Sequence, residues 1–134
     1  MTERRWLKDS VVEAIHQRQL AEHGGLGGIR DAGLLASALA RPRNLFAYGN
    51  PTPDLAALAA SYAFGIARNH AFVDGNKRTA YVVFRTFLLL NGHDMAAESA
   101  DKYLAMLGVA DGSLDEEAFA EWIRAHLVKT SGGR

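Results

Sequence analysis

Apolar positions return at steps of three and four along nearly the whole chain, the spacing that lines one face of an α-helix. The first stripe, Val11, Val12, Ile15 and Leu20, predicts a helix capped by Asp9 or Ser10, with Glu13 at capping-box spacing from Ser10. It should stop at His23-Gly24-Gly25, where glycine supplies a left-handed C-terminus. The stretch GGLGGIRD follows as a turn region, and Asp31 is placed to cap a short helix from Ala32 to Leu39. Residues 41–53, RPRNLFAYGNPTP, hold all three prolines and read as an irregular or hairpin-like excursion.

Asp54 opens a further helix to about Asn69, with Leu55, Leu58, Tyr62 and Ile66 on its apolar face and alanines between them that permit close packing. The helix expected from Asn76 to Leu90 is apolar on most sides and should be the central, most buried one, ending at Asn91-Gly92. Ser99 or a neighbour caps a helix to Leu107. Ser113 and Glu116 form a second capping box ahead of a last helix carrying Phe119, Trp122, Ile123 and Leu127. No alternating run is long enough for a core strand, and a hairpin within 41–53 is the only β-structure entertained. The expectation is an all-α architecture, a single domain over 1–134 with residues 129–134 as a frayed tail.

Composition narrows the functional classes. A chain of 134 residues, 49% hydrophobic, has enough material to bury one core and does not read as disordered. Its apolar runs are too short for a membrane span, and no secretion signal is expected at its start. The absence of cysteine removes disulfides and thiolate metal sites and fits a cytoplasmic protein. Fifteen basic and fifteen acidic residues balance, which argues against direct nucleic-acid binding, so any anion site must be local.

Residues His70 to Arg78, HAFVDGNKR, supply that locality. They join two predicted helices, and a helix start offers unpaired N–H groups and a positive dipole end to a phosphate. Gly75 removes side-chain bulk where the backbone would approach the anion. Lys77 and Arg78 stand on the first turn, where the dipole disfavours each cation by about 0.3–1 kcal/mol, so the pair asks for a compensating anion. His70 is the residue type that removes a hydroxyl proton near neutral pH, and Asp74 suits Mg²⁺ shared with phosphate oxygens. Singly, each has a simpler role: His70 a helix cap, Asp74 an N-cap, Lys77 and Arg78 a solvated face. Their convergence on one glycine turn points to phosphoryl or nucleotidyl transfer. Phe72 is most simply a core anchor. His16, His23, His93 and His126 have no metal-ligand spacing and read as surface or cap residues.

The segment resembles the signature of the Fic/Doc family, whose Fic branch reads H-P-F-x-(D/E)-G-N-G-R-x-x-R and whose Doc branch reads H-x-F-x-D-A-N-K-R-T-A. HAFVDGNKRTA follows the Doc form from His70 to Ala80, with Gly75 in place of alanine. The likeness extends to HGGLGGIRDAGLLASALARP, IARNH and FRTFLLLNG. It implies a Fic fold, a helical bundle around a central helix preceded by this loop. It also implies His70 as general base, Asp74 on Mg²⁺, Gly75-Asn76-Lys77 as the anion-binding turn and Arg78 as stabiliser of the transferring phosphate. By position, Arg68 is a further phosphate contact or a surface residue, and Arg30 a candidate phosphate contact.

Doc proteins resemble toxins of toxin–antitoxin pairs that use ATP to phosphorylate a threonine of elongation factor Tu, whereas the Fic branch transfers AMP. Lysine at position 77 accompanies the γ-phosphoryl mode, and Tyr81 stands where a second Fic arginine would be. Gly75 is the Fic choice, and Val82 replaces a Doc asparagine, so AMP transfer is the alternative and an inactive antitoxin-binding module the second. No Glu is followed by Gly or Asn, so the family's inhibitory glutamate motif is absent and restraint is expected from a cognate antitoxin. Residues 41–53 correspond in place to the family's target-positioning flap, with Phe46 and Tyr48 as candidate contacts or core packing.

Overall fold

Short acidic side chains set three of the helix starts. Asp31, Asp54 and Asp115 each accept a hydrogen bond from the backbone N–H three residues on, satisfying one of the free amides of a first turn. In the computed structural model, which describes residues 3–130, the elements run α1 (Asp9–His23), α2 (Ala32–Tyr48), α3 (Leu55–Asn69), α4 (Asn76–Leu90), β1 (His93–Met95), α5 (Ser99–Asp111), α6 (Glu116–His126) and β2 (Leu127–Lys129). Six helices among the described residues make a mostly helical bundle, as expected. No helix among them is long and apolar enough to cross a membrane.

The bundle centres on α3 rather than on α4. Eleven of the fifteen α3 residues are buried, against seven in α4. The reason lies in side-chain size: the alanines of α3 let α2, α4 and α6 close on it from several sides. Gly65 shows how near they come, since a Cβ there would sit 3.1 Å from the Ala38 Cα of α2. Aromatic contacts then lock the layers. Tyr62 of α3 meets Phe87 of α4 at 4.8 Å between ring centroids, and Phe84 of α4 meets Phe119 of α6 edge-on at 5.4 Å. Each such buried ring contributes about 1.5–3 kcal/mol of apolar burial.

Several expectations are corrected. The helix expected to end at Leu39 runs on to Tyr48 with Pro42 inside it. The apolar spacing continues through the proline, from Leu35, Ala38 and Leu39 to Pro42, Leu45 and Phe46, and that packing outweighs one lost hydrogen bond. Residues 41–48 are therefore helix, not hairpin. Phe46 packs edge-on against Trp6, while Tyr48 is exposed at the helix end. The β-pairing lies elsewhere, between β1 and β2 in antiparallel register, His93 opposite Lys129. Lys129 and Thr130, expected in a frayed tail, are thus paired, Thr130 donating to the Gly92 carbonyl; residues 131–134 lie outside the described part.

Cap assignments also shift. Lys8 occupies the N-cap position of α1, and Glu98, a neighbour of Ser99 as expected, that of α5, neither with a side-chain bond. Asp115, not Ser113, caps α6. On α1 the buried stripe is Val12, His16 and Gln19, and Val11 faces solvent.

Candidate active site

The loop between α3 and α4 is held from three directions before its own side chains come into play. His70 ends α3 in the left-handed region (φ 52°, ψ 48°), a conformation that histidine tolerates better than most residues. Arg30 clamps it there: its Nε donates to the His70 carbonyl at 2.6 Å and its guanidinium to the Asn69 carbonyl at 3.0 Å. The last carbonyls of α3 are therefore satisfied by a cation, which also suits the negative end of the helix dipole.

From the second side, the glycine-rich segment between α1 and α2 pairs with the loop. Ala71 O accepts from both Arg30 and Asp31 N–H, and Val73 N–H donates to Gly28 O at 3.0 Å. The third support comes from within. Asn76, at the first position of α4, accepts from Phe72 N–H and donates to Phe72 C=O. Phe72 itself is buried and stacks on His16 of α1 at 3.7 Å between ring centres.

These supports present a particular face. Gly75 adopts φ +76° at the N-cap of α4, and no side chain caps that helix. The first internal bond of α4 is Thr79 N–H to Gly75 O, which leaves the amides of Asn76, Lys77 and Arg78 without a capping side chain. No acidic residue occupies this first turn, while Lys77 and Arg78 do. The combination of open amides, dipole and two cations suits an anion. Asp74 is exposed; its Oδ1 accepts from Gly75 N–H at 2.9 Å and its Oδ2 from Leu26 N–H at 3.3 Å. Two oxygens with about four lone-pair sites retain room for a cation beyond those two bonds.

A cavity of about 340 Å³ gathers His70, Asp74, Gly75, Asn76, Lys77 and Arg78 on one wall. A second groove of about 540 Å³ shares Lys77 and Arg78 and continues along Tyr81, Val82 and Arg85 toward Lys102. Arg85 is engaged there in a two-pronged pair with Asp94, at 2.8 and 3.0 Å. That guanidinium holds the Asp94 carboxyl below the usual carboxylate range, against the opposing effect of burial.

The structure thus brings His70, Asp74, Gly75, Asn76, Lys77 and Arg78 to one place. Arg68 goes elsewhere: its guanidinium reaches the Val109 carbonyl at 3.5 Å, at the end of α5. Arg30 bonds the His70 and Asn69 carbonyls of the loop. The Asn76 side chain is buried and fully engaged with Phe72, so only its backbone faces an anion. His16, read from sequence as a surface or cap residue, is buried and bonded to the loop; its place in register with Val12 and Gln19 was the available signal.

A family model described as the Fic/DOC family matches residues 6–88. The chain is 47% identical over 75 residues to Toxin Doc of Mycolicibacterium smegmatis (strain ATCC 700084 / mc(2)155), covering 56% of this chain and 58% of that protein. It is 34% identical over 113 residues to Protein kinase doc of Escherichia phage P1, covering 83% and 86% respectively. The match spans little more than half the length of the mycobacterial relative and most of the phage one.

Proposed function

The chain belongs to the Fic/Doc family, and we propose on that footing that it is a Doc-like toxin that moves the γ-phosphoryl group of ATP onto a Ser or Thr hydroxyl of a translation factor. Elongation factor Tu is the proposed target and the cytoplasm the proposed compartment. The observation that carries the reading is the single cavity lined at once by His70, Asp74 and the Gly75–Arg78 turn. In that cavity His70 takes the proton of the attacking hydroxyl, whose oxygen bonds the γ-phosphorus as the bond to the β-phosphate oxygen breaks and ADP leaves. The open amides and the charges of Lys77 and Arg78 stabilise the phosphoryl oxygens, the term on which this chemistry chiefly depends. Lysine at position 77 and the likeness to a protein named as a kinase favour phosphoryl over AMP transfer.

Mg²⁺ fits the residues present. The exposed Asp74 carboxylate keeps lone pairs free, and a cation that shares one carboxylate with phosphate oxygens needs no larger protein cage. When bound, it would neutralise phosphate charge. Among the described residues no group of three or more His, Asp or Glu side chains forms a metal cage of its own. Restraint by a cognate antitoxin completes the proposal, since the inhibitory glutamate motif is missing.

The test is transfer of label to elongation factor Tu from ATP labelled at the γ- or the α-phosphate, with Mg²⁺ present. Label from γ, abolished by His70→Ala, is the expected result. Label from α instead would identify AMP transfer, and no transfer from either position to the factor or to lysate proteins would leave only antitoxin binding.

A further inference from the structure

His16 lies in the middle of α1, far along the chain from the loop, yet it is 3% exposed and touches the loop twice. Its Nε2 is 2.8 Å from the backbone carbonyl of Asp74, and its ring lies 11° from parallel to that of Phe72. A carbonyl only accepts, so Nε2 carries the hydrogen of this bond. The ring also floors the glycine turn, since a Cβ on Gly75 would lie 3.8 Å from it.

The bond has a directional consequence. In a trans peptide the C=O and the following N–H point opposite ways. Drawing the Asp74 carbonyl inward to His16 turns the Gly75 N–H outward, where it meets Asp74 Oδ1 at 2.9 Å. One imidazole N–H therefore sets the plane of the Asp74–Gly75 peptide, and with it the seat of the carboxylate and the entry into α4. Gly75 makes that plane easy to rotate, because glycine adopts either sign of φ with little penalty. Neither Asn76 nor Arg30 restrains this peptide; they hold Phe72, Asn69 and His70.

We propose that His16 is a positioning residue of the phosphate loop, fixing the Asp74–Gly75 peptide through its Nε2–H. Its kinetic consequence rests on the phosphoryl-transfer reading above, whereas its geometric content does not.

The experiment compares His16→Gln with His16→Met, two side chains of similar length and shape that differ in the presence of an amide donor. In the parent, ¹⁵N NMR should find His16 in the Nε2–H form. In His16→Met the Gly75 amide resonance should move or split, and kcat should fall about 10- to 100-fold with KM for the protein substrate nearly unchanged. His16→Gln should restore the Gly75 resonance and most of kcat. The Nδ1–H form in the parent, or an unmoved Gly75 resonance in His16→Met, would overturn the proposal. Equal losses in the two variants would also overturn it, by reducing His16 to packing. Absence of any transfer by the parent would refute the kinase reading instead, and the two NMR readouts would still decide the role of His16.

Discussion

The side-chain amide of Asn76 bonds both the N–H and the C=O of Phe72, at 3.0 Å in each direction. It thereby does for the loop what a neighbouring strand would do, from a residue that is itself the start of α4. Asparagine carries its donor and its acceptor on separate atoms, so one short side chain can meet both groups. Asn76→Ala leaves two buried backbone groups unpaired, and the expected destabilisation is about 2–4 kcal/mol in total. Asn76→Asp keeps the acceptor but sets a carboxylate against the Phe72 carbonyl, so it should be at least as damaging. Urea midpoints measure both; a shift in Asn76→Ala equivalent to less than about 0.5 kcal/mol would show that the loop closes by other means.

How far the site was legible in the sequence follows from what kind of contact each residue makes. Lys77 and Arg78 were readable because their conflict with the helix dipole is local, a matter of a few neighbouring positions. Asp31 and Asp54 were readable for the same reason, as caps that bond three residues on. Arg30 and His16 were not, because their partners are carbonyls 39 to 58 residues away, and nothing in local spacing says which backbone atom a side chain will find. The continuation of α2 through Pro42 was hidden differently. The local rule against proline was sound, but it lost to burial of Pro42, Leu45 and Phe46 against the core, an energy that exists only once α3 is in place.

Two carboxylates make stability depend on acid. Arg124 pairs with Asp54 at 2.7 and 2.9 Å and is the main cause holding that carboxyl below its ordinary value of 3.8, as Arg85 does for Asp94. A carboxyl whose pKa is depressed on folding contributes stability above its unfolded value and loses it as pH falls through the folded one. Stability should therefore be level above about pH 5 and decline from there down past the ordinary value. Both pairs are partly exposed, so each contributes about 0.2–1 kcal/mol. Asp54→Asn combined with Asp94→Asn should flatten the decline, read as urea midpoints at neutral and acid pH. An undiminished acid slope in the double variant would assign the loss to other groups.

Thr79 presents the opposite situation, a hydroxyl that is fully buried and has no hydrogen-bond partner among the described residues. It lies one turn into α4, behind the loop. Replacing it by valine keeps the branched shape and removes an unpaired polar atom, which is worth about 1–3 kcal/mol when left unsatisfied. Thr79→Val is expected to raise the thermal midpoint by several degrees while transfer continues at the parental rate. A lowered midpoint would mean that the hydroxyl is bonded in solution.

Gly24 and Gly25 separate backbone strain from displacement of the Asp74 carboxylate, since Gly24 touches the site only through its carbonyl, which accepts from the Arg78 guanidinium at 3.3 Å. Both have positive φ, +82° and +124°, so alanine at either position is strained, by about 1–3 kcal/mol. Their surroundings differ. A Cβ on Gly24 meets nothing within 4 Å, whereas one on Gly25 falls 2.9 Å from Asp74 Oδ2 and 3.0 Å from Leu20 Cδ2. Gly25→Ala must therefore push the Asp74 carboxylate off the Leu26 amide or displace the loop that carries it. Gly24→Ala should lower the thermal midpoint and leave the Mg²⁺ dependence of the proposed phosphoryl transfer where it was. Gly25→Ala should lower the midpoint by a similar amount and also raise the Mg²⁺ concentration needed for half-maximal transfer, by about tenfold if about 1.4 kcal/mol of carboxylate positioning is lost. Equal Mg²⁺ curves for the two variants would separate Asp74 from the cation and require another ligand for it.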